Sequence, residues 1–368
     1  MRFLSADWIF PLHIPPVKKG VIEIDSSGYI LGLYNNRNEV KPNKIEIYEG
    51  YLCPGFVNAH CHLELSHLSN FIKPDKGFIN FAKSIKKRNI FSEEKIERSI
   101  RLAEDEMKKN GIVAVGDICN TLDTLTQKKK RNLLYYNFIE VFSVKEQYNK
   151  DVISSALYMR NKFRDANMKA SIVPHAPYSV NPNLLKNVIN ISDSDNDIIT
   201  IHIDESFEEK KLFSLKDGEF IDWLKSMEAD PLIWEDRSTS SSIIKDFNTH
   251  KILSVHNTFS DKSDMGDIYY CTCPRSNIYI ENTLPDYSIF NTEKLCVGTD
   301  SLSSNFSLSI YEEIMLIKEN SNFDLNTLLK ISSKNGAEAL GFSELGTLES
   351  GKKPGINLIN KSVVNRIV

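Results

Sequence analysis

The chain has 368 residues, enough for two or three domains or for one α/β barrel of ~250 residues with an appended unit. Its 41% hydrophobic and 26% charged residues are ordinary for a soluble globular protein, and a net charge of -4 gives no reason to expect a nucleic-acid partner. The longest apolar runs, such as Leu52 to Ala59, are too short to span a bilayer, and Asp7 interrupts what a leader would need as its apolar core. No membrane association is expected, and the expected compartment is the cytoplasm.

Residues 1 to about 50 carry short strand-like pieces, Val21 to Ile24, Tyr29 to Leu33 and Lys44 to Tyr48, separated by turn residues such as Ser26-Ser27-Gly28. The polar clusters Asn35 to Asn43 and Ser238 to Ser242 read as loops. Pro54 to His62 is an apolar run that ends in two histidines one residue apart. On a β-strand, residues i and i+2 face the same way, so His60 and His62 aim at one spot just past the strand end. A helix begins at Ser92, with Ile96, Ile100, Ala103 and Met107 on one face, and Asn110-Gly111 stops it.

From there the chain alternates. Apolar, β-branched runs occupy Ile112 to Ile118, Leu133 to Phe142, Ala170 to Pro174, Ile198 to Ile203, Lys251 to Val255, Ile268 to Cys273 and Lys294 to Val297. With the run ending at His60 there are eight, mostly separated by segments long enough for a helix. That pattern implies a parallel sheet covered on both faces, and eight units imply a closed (β/α)8 barrel. Leu325 to Leu340 reads as the last helix, and the tail from Gly346 turns β-like again. The expected division is a barrel over 51–344 and a small β-sandwich built from 1–50 with 345–368. The six cysteines lack the paired spacing of a structural zinc site and read as small buried residues, the close pair Cys271 and Cys273 included.

Chemistry in such barrels sits at the C-terminal ends of the strands. The residues that fall there are His60 and His62, Asp117, Glu140, His175, His202 and Glu205, His256, Arg275 and Asn277, and Asp300. They include five of the eight histidines; His13, His67 and His250 read as surface or packing residues. Three imidazoles and a carboxylate suit a zinc-like ion with space for a water, which makes His60, His62, His202 and Asp300 the candidate ligands.

The segments Pro54 to His62, Pro174-His175-Ala176-Pro177-Tyr178-Ser179, His202-Ile203-Asp204-Glu205, Val255-His256-Asn257, Cys273-Pro274-Arg275-Ser276-Asn277 and Gly298-Thr299-Asp300 together resemble the amidohydrolase superfamily. More narrowly they resemble its mononuclear deaminase and chlorohydrolase branch, with its aminodeoxyfutalosine, S-adenosylhomocysteine and guanine deaminases. The resemblance implies one divalent ion, because His175 stands where two-metal members carry a bridging lysine; Lys169 lies at the opposite end of that strand. It also implies hydrolytic deamination of an aminated N-heterocycle or nucleoside by a metal-bound hydroxide, the ion lowering the pKa of water from ~15.7 toward ~7. Glu205 of His-x-x-Glu would shuttle the proton to a ring nitrogen. Asp300 would act as ligand and base, and His256 would orient the hydroxide and stabilise developing charge.

His175, Glu64 and Arg275 are the candidate substrate contacts. Glu64 could equally support a ligand histidine, and Arg275 could equally serve a structural salt bridge. Tyr178 and Asn277 would line the pocket or cap helices; Asp117 and Glu140 are candidate polar anchors. Zinc is the expected ion, with iron or manganese as substitutes, and a homodimer is an expectation from the resemblance alone. Two other readings stand beside this one: a chlorohydrolase or amide hydrolase using the same site, and a barrel without activity that serves as a scaffold.

Overall fold

A computed structural model describes residues 1–41, 44–74, 76–193, 195–231, 233–247 and 249–368. Eight strands carry the central architecture: β1 Phe56–Cys61, β2 Ile112–Cys119, β3 Leu134–Val141, β4 Lys169–Pro174, β5 Ile198–Ile203, β6 Lys251–His256, β7 Tyr269–Thr272 and β8 Leu295–Val297. Strands β1 to β4 form one parallel ladder and β5 to β8 another. Every residue of β1, β2 and β5 is buried, as expected of strands covered on both faces.

Two seams close the ladders into a (β/α)8 barrel. Between β4 and β5, the His202 N–H donates to the His175 carbonyl at 2.9 Å and the Ser171 hydroxyl to the Ile198 carbonyl at 2.6 Å. Between β8 and β1, the N–H groups of Thr299 and Asp300 both donate to the His60 carbonyl at 3.1 Å. Asn58 sets the register there, donating to the Thr299 hydroxyl at 2.7 Å and accepting the Thr299 N–H at 3.1 Å. Gly298 permits this approach, since a Cβ there would stand 2.6 Å from the His60 carbonyl oxygen.

The helices are α1 Phe78–Ile85, α2 Glu93–Lys109, α3 Leu125–Lys128, α4 Asn149–Asp165, α5 Pro182–Ile191, α6 Phe207–Leu215, α7 Glu219–Ser226, α8 Pro274–Glu281, α9 Ile310–Glu319, α10 Leu325–Leu329 and α11 Asn335–Ala339. Helix α2 starts where Ser92 caps the Lys95 N–H, buries Ile100, Ala103 and Met107, and ends at Asn110. Helical cover is thin in two places. The β2–β3 connection holds only the single turn α3, and β6–β7 only a 3-10 turn at Lys262–Asp264. The expected last helix is interrupted by a π turn at Lys330–Lys334, where the Ser332 hydroxyl bonds back to the Leu329 carbonyl at 3.0 Å. The segment 240–247, partly expected as loop, forms a 3-10 helix. The cluster Asn35 to Asn43 contains a 3-10 turn at Arg37–Glu39, and its last two residues lie outside the described residues.

Two further sheets lie outside the barrel, the first built from N-terminal strands alone and the second from strands of both chain ends. One has the order Ile30–Tyr34, Val21–Ile24, Arg2–Ser5, Ile45–Ile47; the other runs Val363–Arg366, Ile356–Asn360, Tyr51–Pro54, Trp8–Ile9, Val17–Lys18. Leu4, Ile9, Ile22, Ile24, Leu52 and Ile356 pack between them. Strand Tyr51–Pro54 runs straight into β1, so this unit holds the entry to the first barrel strand. All six cysteines are free and buried. Among the described residues, no helix is long and apolar enough to cross a membrane.

Candidate active site

His60 near the end of β1, His62 just beyond it and His202 near the end of β5 turn their Nε2 atoms toward one point. The His60 Nε2 lies 3.2 Å from that of His62 and 3.3 Å from that of His202. A tetrahedral ion with bonds of ~2.0–2.1 Å to nitrogen spaces its ligands ~3.3 Å apart, so the three atoms fit one metal. All three side chains are buried. Burial first, and neighbouring histidines second, push His62 and His202 down to about 3 and His60 well below its ordinary value. The imidazoles are therefore neutral, and no proton competes for their lone pairs. The proton of His202 sits on Nδ1, 2.8 Å from the His175 carbonyl, which leaves Nε2 free to ligate.

Asp300 follows β8 and completes the group. Its Oδ1 stands 3.5 Å from the His62 Nε2 and 3.8 Å from that of His60. Ser276 and Ser304 each donate to Oδ2 at 2.6 Å, so the carboxylate is held from behind with one oxygen presented inward. Asp300 has a left-handed backbone, φ 55, as do Asp204, His256 and Asn257 at the ends of β5 and β6. Four non-glycine residues in that region at one barrel end mark a strained, functional rim.

His256 gives its Nδ1 proton to the Asn277 carbonyl oxygen at 2.8 Å. Its Nε2 then faces the Glu205 carboxyl, 3.7 Å away. Burial first, then the neighbouring carboxyls of Asp300 and Glu209, push the Glu205 pKa well above the usual carboxylate range, which favours its protonated form. The Glu205 carboxyl, the His256 imidazole and the inward oxygen of Asp300 thus lie together beside the histidine cluster.

His175 bonds the Ser179 hydroxyl through Nδ1 at 2.7 Å and is partly exposed. Glu64 and Arg275, expected as substrate contacts, both have partners within the protein. Glu64 accepts the backbone N–H groups of Asn120 and Thr121 at 2.9 and 3.0 Å and pairs with Arg88 at 3.1 Å. Arg275 pairs with Glu312 and donates to the Ser307 hydroxyl at 3.2 Å. Asp117 is an anchor: it takes the Leu63 N–H at 2.8 Å and holds the buried Lys128 at 2.5 Å. Tyr178 packs against Phe78 and Phe220. Of the remaining histidines, His13 is exposed, His67 bonds two backbone carbonyls and His250 bonds Ser192.

Glu140, His175 and His202 also bring ligand atoms within 4.8 Å of one another. A second ion there is disfavoured because the His202 Nδ1 keeps its proton for the His175 carbonyl. Sequence reasoning missed Ser276, Ser304 and the support that Asn277 gives His256; lone serines carry no periodic signal, and only adjacency to Arg275 and Asp300 hinted at them.

The model of the amidohydrolase family matches residues 51–367. The chain belongs to the amidohydrolase family. This amidohydrolase is similar to the adenosine deaminase of Helicobacter pylori, 27% identical over 331 residues that cover 86% of this chain and 80% of that protein. It is 26% identical to the aminodeoxyfutalosine deaminase of a Nitratiruptor species, with 84% and 78% covered. The crystal structure of Helicobacter pylori aminofutalosine deaminase in complex with methylthio-coformycin superposes with a TM-score of 0.81 at 23% identity, covering 98% and 93% of the two chains. That last likeness bears on the fold. The barrel, the family and a histidine cluster that fits a metal ion therefore agree.

Proposed function

We propose that this amidohydrolase is a hydrolytic deaminase of an aminated N-heterocycle, with adenine nucleosides the first candidates. The observation that carries the reading is Glu205, a buried carboxyl pushed toward its protonated form, 3.7 Å from His256 and beside the His60, His62, His202 and Asp300 cluster. The similarity to adenosine and aminodeoxyfutalosine deaminases supports the same choice.

The three imidazoles and Asp300 would hold the ion, zinc first and iron or manganese second. When bound, the ion supplies Lewis acidity that makes water nucleophilic at neutral pH. Glu205 gives its proton to the ring nitrogen adjacent to the attacked carbon, which makes that carbon more electrophilic. His256, its Nδ1 proton committed to Asn277, offers the Nε2 lone pair to the attacking water and orients it. Asp300 receives a proton from the attacking water through its inward oxygen and passes it to the amino group, which leaves as ammonia, while the added hydroxyl returns a proton to Glu205 as the carbonyl forms. His175 lines the substrate side through the ring edge not tied to Ser179.

The test is a panel of adenosine, 5'-deoxyadenosine, 5'-methylthioadenosine, S-adenosylhomocysteine, aminodeoxyfutalosine and guanine offered to metal-loaded protein. Ammonia release from one or more of these is expected. Silence across the panel from protein with a full equivalent of metal overturns the substrate class.

A further inference from the structure

The Glu140 carboxylate near the end of β3 is buried and only half used. Its Oε2 accepts the Asn120 side-chain amide at 3.0 Å. Its Oε1 has no hydrogen-bond partner and lies 3.6 Å from the His202 Nδ1. A buried acceptor left without a partner costs roughly 1–3 kcal/mol, and native folds keep few of them. We propose that Glu140 is a positioning residue that holds His202 as a metal ligand, its free oxygen facing the Nδ1–H edge of that ring.

The His202 Nδ1 proton is flanked by two acceptors, the His175 carbonyl at 2.8 Å and the Glu140 Oε1. A flipped ring, or the other tautomer, would set a lone pair or a C–H against both oxygens. The pair therefore selects the one state in which Nε2 points at His60 with its lone pair bare. A carboxylate behind a ligating imidazole also raises its basicity, which strengthens the bond to a cation.

Glu140 is held in turn by a strap. The Asn120 backbone N–H donates to Glu64 Oε2 at 2.9 Å, and Glu64 Oε1 pairs with Arg88 at 3.1 Å. The loops after β1 and β2 thus reach His202 through a single carboxylate, with Glu64 tying the two loops together. This inference rests on the metal-centre reading above.

The test compares wild type with Glu140→Gln by zinc competition against a chelator and by the visible ligand-field bands of the cobalt(II)-substituted protein. Glutamine keeps the shape, but it must set an amide N–H against either Asn120 or His202. Expected are a zinc affinity about tenfold or more weaker, altered cobalt bands, and a melting temperature of the metal-free protein equal to that of wild type. Wild-type affinity with unchanged bands overturns the proposal. If Glu140→Gln does not fold, Asn120→Ala, which releases the other oxygen of the same carboxylate, carries the test, and unchanged affinity there overturns it equally. Wild-type protein that binds no divalent ion overturns the metal-centre reading, and this inference with it.

Discussion

His202 and Glu205 lie three residues apart, and the proposed reaction gives them different tasks, one to hold an ion and the other to carry a proton. The roles separate by environment: His202 is kept neutral with Nε2 bare, while Glu205 is pushed toward its protonated form by burial and by Asp300. His202→Ala is expected to lose metal and turnover together. Glu205→Gln is expected to retain a full equivalent of metal while kcat falls ~10²–10⁴-fold. Metal analysis beside ammonia assays checks both, and normal turnover by Glu205→Gln would remove Glu205 from the proton path. That His60, His62, His202 and Asp300 would meet was legible in the sequence because strand period and strand ends dictate where they point. The groups that hold them were not. Ser276 and Ser304 meet the Asp300 carboxylate only through the folded barrel, and nothing in a lone serine announces such a partner.

At the scale of elements, the eight strands were readable since a strand covered on both faces must be apolar throughout. The short strands at the chain ends were harder. Trp8–Ile9 and Val17–Lys18 are two residues each, and their sheet is assembled from pieces of chain far apart in sequence. The single turn α3 was also hidden, for its reason to exist is one buried cation. Lys128 reaches inward to Asp117 at 2.5 Å and to the Asn137 side-chain oxygen at 2.8 Å, with both ionic side chains fully buried. The pair pins the β2–β3 connection against the barrel in place of a longer helix. Lys128→Met leaves Asp117 charged and alone, so a loss of about 3–5 kcal/mol is expected in urea unfolding. A loss well below 1 kcal/mol would mean that Asp117 is satisfied otherwise.

For the molecule as a whole, stability should carry the mark of Glu313 on α9. Its carboxyl is buried between the Arg275 N–H at 2.9 Å and the Asn305 amide at 2.8 Å, and burial pushes it up to about 8 from 4.5. Between those values the folded protein keeps a proton that the unfolded chain has released. Unfolding therefore releases a proton, and the contribution of Glu313 to stability, complete below pH 4.5, declines as pH rises through 8. Urea midpoints across that window should fall more steeply for wild type than for Glu313→Gln; parallel profiles would assign the slope to other groups. The seam between β8 and β1 has its own consequence, for folding. His60 accepts the N–H groups that close the ring, and Asn58 meets Thr299 across 241 residues of chain. Such a contact is among the most expensive in loop entropy and forms late. The candidate ligand histidines of β1 and Asp300 come together only when the first and last strands join, so capture of a metal during refolding would time the closing of the barrel.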